Sequence, residues 1–398
     1  MLGRYRSVFR TPGSAAFCAA AFFMRIPIAV YPLGIVLIIS ARDGRYGFAG
    51  VLSACYIFGN ALGNPILSVL VDRYGQRRLI LPSGVVHAAA VIALAIMLRT
   101  GSPNWSLVVP TVVFGFSYLS VGSLVRARWS HLLDGRPELT TALSLESVLD
   151  ELIFVVGPLV ATLLATQTDS VLVLYFALVL VAGGSLWLAA LHATEPPPHP
   201  AEDSGHVSAL RAPGMVVLTL ATVGMGAVFA SAEVAMVAYC GQHGQRSLSG
   251  LVLAAIALGS GVSGLVYGAI EWRSDIVRRF RTQAFVFALL PFILFAAVDV
   301  PVLAACGFVL GIGIAPTLIT AFGLVQQIVP TRALTEGLSW VSTGLNVGYG
   351  AGAALVGGIA DRHGARSAFL LVIGAALTVG VLGSVLRVPA EEPANRLA

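Results

Sequence analysis

TTALSLESVLDELIFVVGPLVATLLAT, residues 140–166, is the stretch on which the reading of this chain turns. It is apolar and long enough to cross a bilayer, yet it holds Glu146, Asp150 and Glu151. At about 1.5 Å of rise per residue, the two adjacent acids lie roughly 15 Å from its start, in the middle of a ~30 Å hydrocarbon core. Three ionised carboxylates at that depth cost on the order of 8–10 kcal/mol on insertion scales. The apolar side chains around them return only about 4–8 kcal/mol. Such a helix does not face lipid with all three charged. Its acids are protonated, paired, or turned toward a protein or water interior.

The rest of the chain supplies that interior. Of 398 residues, 57% are hydrophobic and 11% charged, against about a quarter charged in a soluble domain, so this is an integral membrane protein. All 24 basic residues are Arg, which fits a GC-rich bacterial genome. The net charge of +5 is spread over short loops and is no nucleic-acid footprint. Cys18, Cys55, Cys240 and Cys306 have no paired spacing and read as small hydrophobes, not as disulfides or metal ligands. The first apolar run follows Arg4, Arg6 and Arg10 but contains Arg25, Pro27 and Pro32 and leads into further spans, so it is expected to be retained rather than cleaved.

Apolar runs predict an all-α membrane protein with twelve transmembrane helices, at 14–40, 47–71, 79–98, 105–125, 140–166, 170–192, 213–238, 248–270, 282–298, 301–325, 337–360 and 367–387. With the N-terminus inside, 17 arginines fall on the cytoplasmic side and 6 outside, with Arg25 within the first span. Both termini are therefore expected in the cytoplasm. The Pro- and acid-containing segment 193–212 reads as a cytoplasmic linker between two pseudo-symmetric six-helix bundles, 1–192 and 213–398. The halves echo each other at an offset of 201. Arg10-Thr11-Pro12-Gly13 answers Arg211-Ala212-Pro213-Gly214, and Arg77-Arg78 answers Arg278-Arg279. A parallel repeat of this kind places a substrate site between the halves.

Ser68 to Arg78, SVLVDRYGQRR, resembles the loop signature G-x-L-x-D-R-x-G-R-[RK] of the major facilitator superfamily, and the twelve spans and central linker extend the resemblance over the chain. It departs at Ser68 and Gln76. The resemblance implies an alternating-access transporter in which Asp72, Arg73, Gly75, Arg77 and Arg78 form a gating loop between spans 2 and 3. Asp72 would lie at the positive end of a neighbouring helix. A second similar string, Gly357 to Gly364 with Asp361, falls on the external side and reads mostly as turn chemistry. Gly157-Pro158 resembles the end of the family's antiporter signature, without its upstream glycines. The Arg that many members carry within span 4 is absent here, Arg126 and Arg128 standing at that span's cytoplasmic exit.

Glu146 and Asp150, four apart, share a helix face; Glu151 points away. In the family fold spans 1 and 5 are neighbours, so Arg25 is expected to pair with Asp150 or Glu146. Asp150, Glu151, Glu146 and Arg25 are then the proton-coupling set, with Asp150 the first choice; the alternative is a static ion pair that fixes packing. Glu233 in span 7 meets a cationic substrate or a proton, or lies at the external interface. Asn346 and Tyr118 are further candidates for the substrate pocket, or ordinary helix–helix hydrogen-bond formers. His87 reads as a satisfied interior histidine.

These features point to a secondary active transporter, a proton-coupled exporter of a small organic or drug-like molecule; uptake of a sugar or organic acid is the alternative. No nucleophile elbow, P-loop or metal-spaced His cluster supports an enzyme, and no cofactor or metal is expected. The expected partners are a small-molecule substrate, protons and the lipid bilayer, with the chain acting as a monomer in the cell membrane.

Overall fold

The computed structural model describes residues 2–43, 46–167, 169–198, 208–245 and 248–388. Among these the chain is helical throughout, with no strand. Eleven segments are long and apolar enough to cross a membrane: Ser14–Ile39, Val51–Tyr74, Gln76–Arg99, Asn104–Leu132, Glu138–Ala165, Leu172–Ala190, Met215–Gln242, Ser249–Ala269, Ile276–Ala296, Val300–Ile328 and Ala365–Val385. The helix Leu334–His363 stands between the last two, and the twelve are spans 1–12 in chain order.

Local chemistry sets the boundaries. Gly13 and Gly214, the ends of the repeated Arg-x-Pro-Gly strings, take positive φ of 80° and 91° and start spans 1 and 7. Gly75 and Gly364, at φ 93° and 83°, are the lone residues between spans 2 and 3 and between spans 11 and 12. A residue with a Cβ pays for that conformation, so both turns call for glycine. The signature stretch is thus less a loop than expected: Asp72 and Arg73 end one helix and Arg77 and Arg78 begin the next.

Among the described residues, spans 1, 4 and 10 are each divided into two α-helices. Pro27 has no N–H and ends the first helix of span 1, Ser14–Arg25, just after Arg25. Span 4 breaks between Val108–Ser117 and Val121–Leu132, where the Asn60 amide takes up the Tyr118 carbonyl at 3.1 Å. Its repeat mate, span 10, breaks between Ile312 and Ile314. Irregular backbone at membrane depth survives only where side chains re-satisfy it in this way.

The same pairs of spans pack in each half: 2 on 4 as 8 on 10, 3 on 6 as 9 on 12, and 1 on 5 as 7 on 11. Lipid offers helices no hydrophobic drive to associate, so close backbone approach at small residues carries the packing. Gly63 abuts the Phe116 backbone, Gly311 that of Ile256, and Gly348 that of Val223. A Cβ added at Gly348 runs into the Val223 carbonyl, whereas one at Gly374 meets nothing within 4 Å. Gly348→Ala is therefore expected to cost about 1–3 kcal/mol in thermal unfolding in detergent. Gly374→Ala should leave the unfolding temperature unchanged.

Candidate functional site

The charges of spans 1, 4 and 5 converge: Arg25 and Asp150 stand near the middle of their spans, and Arg126 reaches them from the last third of span 4. Arg25, held at the break in span 1, reaches Glu146 at 2.6 Å through Nη2 and Asp150 at 2.8 Å through Nη1. Arg126 reaches the other Asp150 oxygen at 2.6 Å. Glu146 is 0% exposed, and its second oxygen accepts from the Trp129 indole at 2.9 Å and the Cys18 thiol at 3.2 Å. Two cations thus face two anions, and the cluster is internally neutral. Gly157 lets span 5 close onto Ala29 of span 1; the Pro158 side chain lies outside the described residues.

Arg126 corrects the reading of span 4. It does not stand at an exit but sits 2% exposed inside the helix Val121–Leu132, which runs on past it. Its guanidinium also lies 3.9 Å over the Phe322 ring of span 10. The basic run Arg126 to Arg128 looks like a span end in sequence because the break at 118–120 is invisible there. Arg128 is buried as well. It donates to Gln76, to the Leu188 and Leu191 carbonyls and to Thr194 Oγ1, tying the turn between spans 2 and 3 to the residues that follow span 6.

Glu151 points elsewhere. Its Oε1 accepts from the Ser260 hydroxyl of span 8 at 2.6 Å, across the gap between the halves. Among the described residues no Arg lies within ion-pair distance of it.

The halves meet on the side that carries the chain ends. Thr141 donates to the Gly268 carbonyl at 2.7 Å and Tyr5 to the Leu265 carbonyl at 2.9 Å. Ser68 and Ser339 share a hydrogen bond of 2.6 Å. Asp72 accepts from the backbone N–H groups of Thr335 at 3.1 Å and Glu336 at 2.8 Å, at the start of span 11. A carboxylate there meets both unsatisfied donors and the positive end of the helix dipole. Arg73 lies over its neighbour Tyr74, and Arg77 and Arg78 are exposed, with the Arg77 backbone N–H donating to Glu195. Asp72→Asn removes the charge and keeps the shape. It should weaken this contact by about 1 kcal/mol, roughly fivefold in the ratio of closed to open forms. Slower disulfide formation between cysteines placed at Ser68 and Ser339 is the measurement.

The remaining candidates scatter. Tyr118 is buried in the first half and donates to the Met24 carbonyl at 2.7 Å, bracing the break in span 1. His87 bridges the Tyr31 hydroxyl and the Phe114 carbonyl. Glu233 accepts from the Tyr349 hydroxyl at 2.7 Å, and Asn346 is half-buried one turn earlier on span 11. The side chain of Asp361 and the linker centre, 199–207, lie outside the described residues. Arg126, Ser260 and Tyr349 are the residues that reading the sequence did not single out.

Two repeated helical bundles, closed against each other at one end and holding charges near mid-span, define a secondary transporter. A family model of the Major Facilitator Superfamily matches residues 13–289 and 218–398, and the chain belongs to that superfamily. No curated protein sequence matches it. Among solved structures it resembles a bacterial homologue of the iron transporter ferroportin in an outward-facing state, at 15% identity over 93% of this chain and 98% of that one, with TM-score 0.74. It also resembles the E. coli fucose:proton symporter FucP, at 13% identity over 94% and 98%, with TM-score 0.70. A third likeness is the human organic anion transporter TETRAN, at 14% identity over 96% and 99%, with TM-score 0.66. At these identities the likeness is one of fold.

Proposed function

We propose that the protein is a proton-coupled exporter of a small organic molecule, working by alternating access, with Glu151 as the proton carrier. The observation that carries this reading is the uneven share of positive charge along span 5. Glu146 and Asp150 are matched by Arg25 and Arg126, while Glu151 has, among the described residues, only the Ser260 hydroxyl and lies on the seam between the halves. The sequence favours Asp150 as the titrating acid; each of its two oxygens already faces an arginine, and the role passes to its neighbour.

Protonation of Glu151 removes the charge that the Ser260 hydroxyl stabilises and loosens spans 5 and 8. Proton release restores the contact. A proton that binds the two arrangements unequally shifts their populations by that difference and no more. On this reading the chain ends face the cytoplasm, the closed side is the cytoplasmic one, and the cell membrane is where a monomer works, since one chain holds the whole cluster. The test is a panel of organic compounds offered to purified protein in liposomes, with internal pH followed. Transport of a compound with no accompanying proton movement would reject the coupling.

A further inference from the structure

We propose that Glu233 and Tyr349, with Asn346 beside them, form a recognition site for an organic cation; this rests on the transporter reading above and names its substrate class. The argument is one of helix faces, at about 100° per residue. On span 11, Ser339 faces span 2 of the other half, and Gly344, Gly348 and Gly352 face span 7 on the opposite side. Asn346 falls within about 20° of the Ser339 direction. Tyr349 lies between that direction and the side where Leu338 and Val356 are fully buried in the second half's core. Val347, 48% exposed, marks the other flank, turned to lipid. Tyr349 is 42% exposed although it lies on the buried flank, so its exposure is to the space between the halves.

Span 7 agrees. Gly224 faces Val379 of span 12, and Glu233 lies about 180° round from it and about 140° from the exposed Leu220. Its carboxylate is directed away from lipid and span 12, toward Tyr349 of span 11 and the space between the halves. Tyr349 stands fifteen residues from the start of the 30-residue span 11, close to the bilayer midplane.

The charge is the second observation. Arg25 and Arg126, the arginines of the cluster on spans 1, 4 and 5, are engaged by Glu146 and Asp150. Glu233, with the Tyr349 hydroxyl, and Glu151, with that of Ser260, have no Arg within ion-pair distance among the described residues, so neither carboxylate is matched by a fixed positive charge. An organic cation seats its charge on Glu233, oriented by the phenol hydroxyl and ring; an organic anion is repelled.

The probe is tetraphenylphosphonium, a permanently charged cation, with benzenesulfonate as its anionic counterpart, each read by the thermal shift of purified protein. Wild type is expected to be stabilised by the cation only. Glu233→Gln should weaken cation binding at least about tenfold with an unshifted ligand-free unfolding temperature, Glu233→Asp should retain most of it, and Tyr349→Phe should lose several-fold. Equal affinity in Glu233→Gln, or stabilisation by the sulfonate and not by the cation, overturns the site. So does stabilisation by neither. Proton movement separates the two ideas. Cation binding that depends on Glu233, with no proton flux in liposomes, keeps this site and rejects the coupling. Proton-coupled transport of a neutral or anionic compound undiminished in Glu233→Gln does the reverse.

Discussion

Glu151→Gln is expected to abolish concentrative transport while leaving downhill exchange of substrate in place. Glutamine keeps a carbonyl oxygen for the Ser260 hydroxyl, so the seam between spans 5 and 8 can still form. What it lacks is a proton that leaves. With one proton exchanged per substrate, each unit of pH gradient sustains about a tenfold substrate gradient, equivalent to 1.36 kcal/mol. The variant should equilibrate substrate at a ratio of one under the same gradient. Asp150→Asn provides the contrast, because it removes an acid already matched by Arg25 and Arg126 and leaves Glu151 in place. It is expected to lower stability and keep coupling. Proton flux that persists in Glu151→Gln and vanishes in Asp150→Asn would return the role to Asp150.

Arg25→Ala is expected to be the most damaging single change to stability in the first half. Arg25 joins two carboxylates through two different nitrogens, and one of those carboxylates, Glu146, has no exposed surface. Truncating one member of a buried pair leaves its partner uncompensated and costs about 3–5 kcal/mol. Asp150 keeps Arg126; Glu146 keeps, among the described residues, only the neutral donors of Trp129 and Cys18. The loss should therefore be recovered in part by pairing Arg25→Ala with Glu146→Gln, which removes the stranded charge, and much less by pairing it with Asp150→Asn. Arg25→Lys keeps the charge but offers one point donor where a forked group bridges two acids, and should fall between. Thermal unfolding in detergent reads all four. Equal destabilisation in both double variants would show that packing, not charge, sets the cost.

Much of the fold is legible before any coordinates. The apolar runs place ten of the twelve spans within about four residues, missing the end of span 4 and the start of span 9 by six or seven, and the Arg-x-Pro-Gly strings mark starts that the structure gives to Gly13 and Gly214 with the same left-handed turn. The Asp-Arg-x-Gly signature marks the place where span 2 meets span 11. The breaks are less legible. Pro27 signals one, but the interruption of span 4 at 118–120 has no proline at its centre and is paid for by Asn60, nearly sixty positions earlier. That hidden break is why Arg126 reads as a loop residue when it is a buried partner of Asp150.

What the sequence determines by itself is the energetic problem: an apolar helix with three acids at mid-depth, an Arg in span 1, and a chain that folds in two repeated halves. Periodicity also separates Glu151 from Glu146 and Asp150, since 3.6 residues per turn fixes directions within one helix. It cannot fix what stands opposite each direction. Glu146 and Asp150 find Arg25 across 121 and 125 positions, and Glu151 finds Ser260 across 109, in the other half. Only the packing of spans 1, 4, 5 and 8 decides that two of the three acids are paired with arginines and the third is left on the seam between the halves. In lipid that difference is large, because a charge without a counter-charge has no water to fall back on.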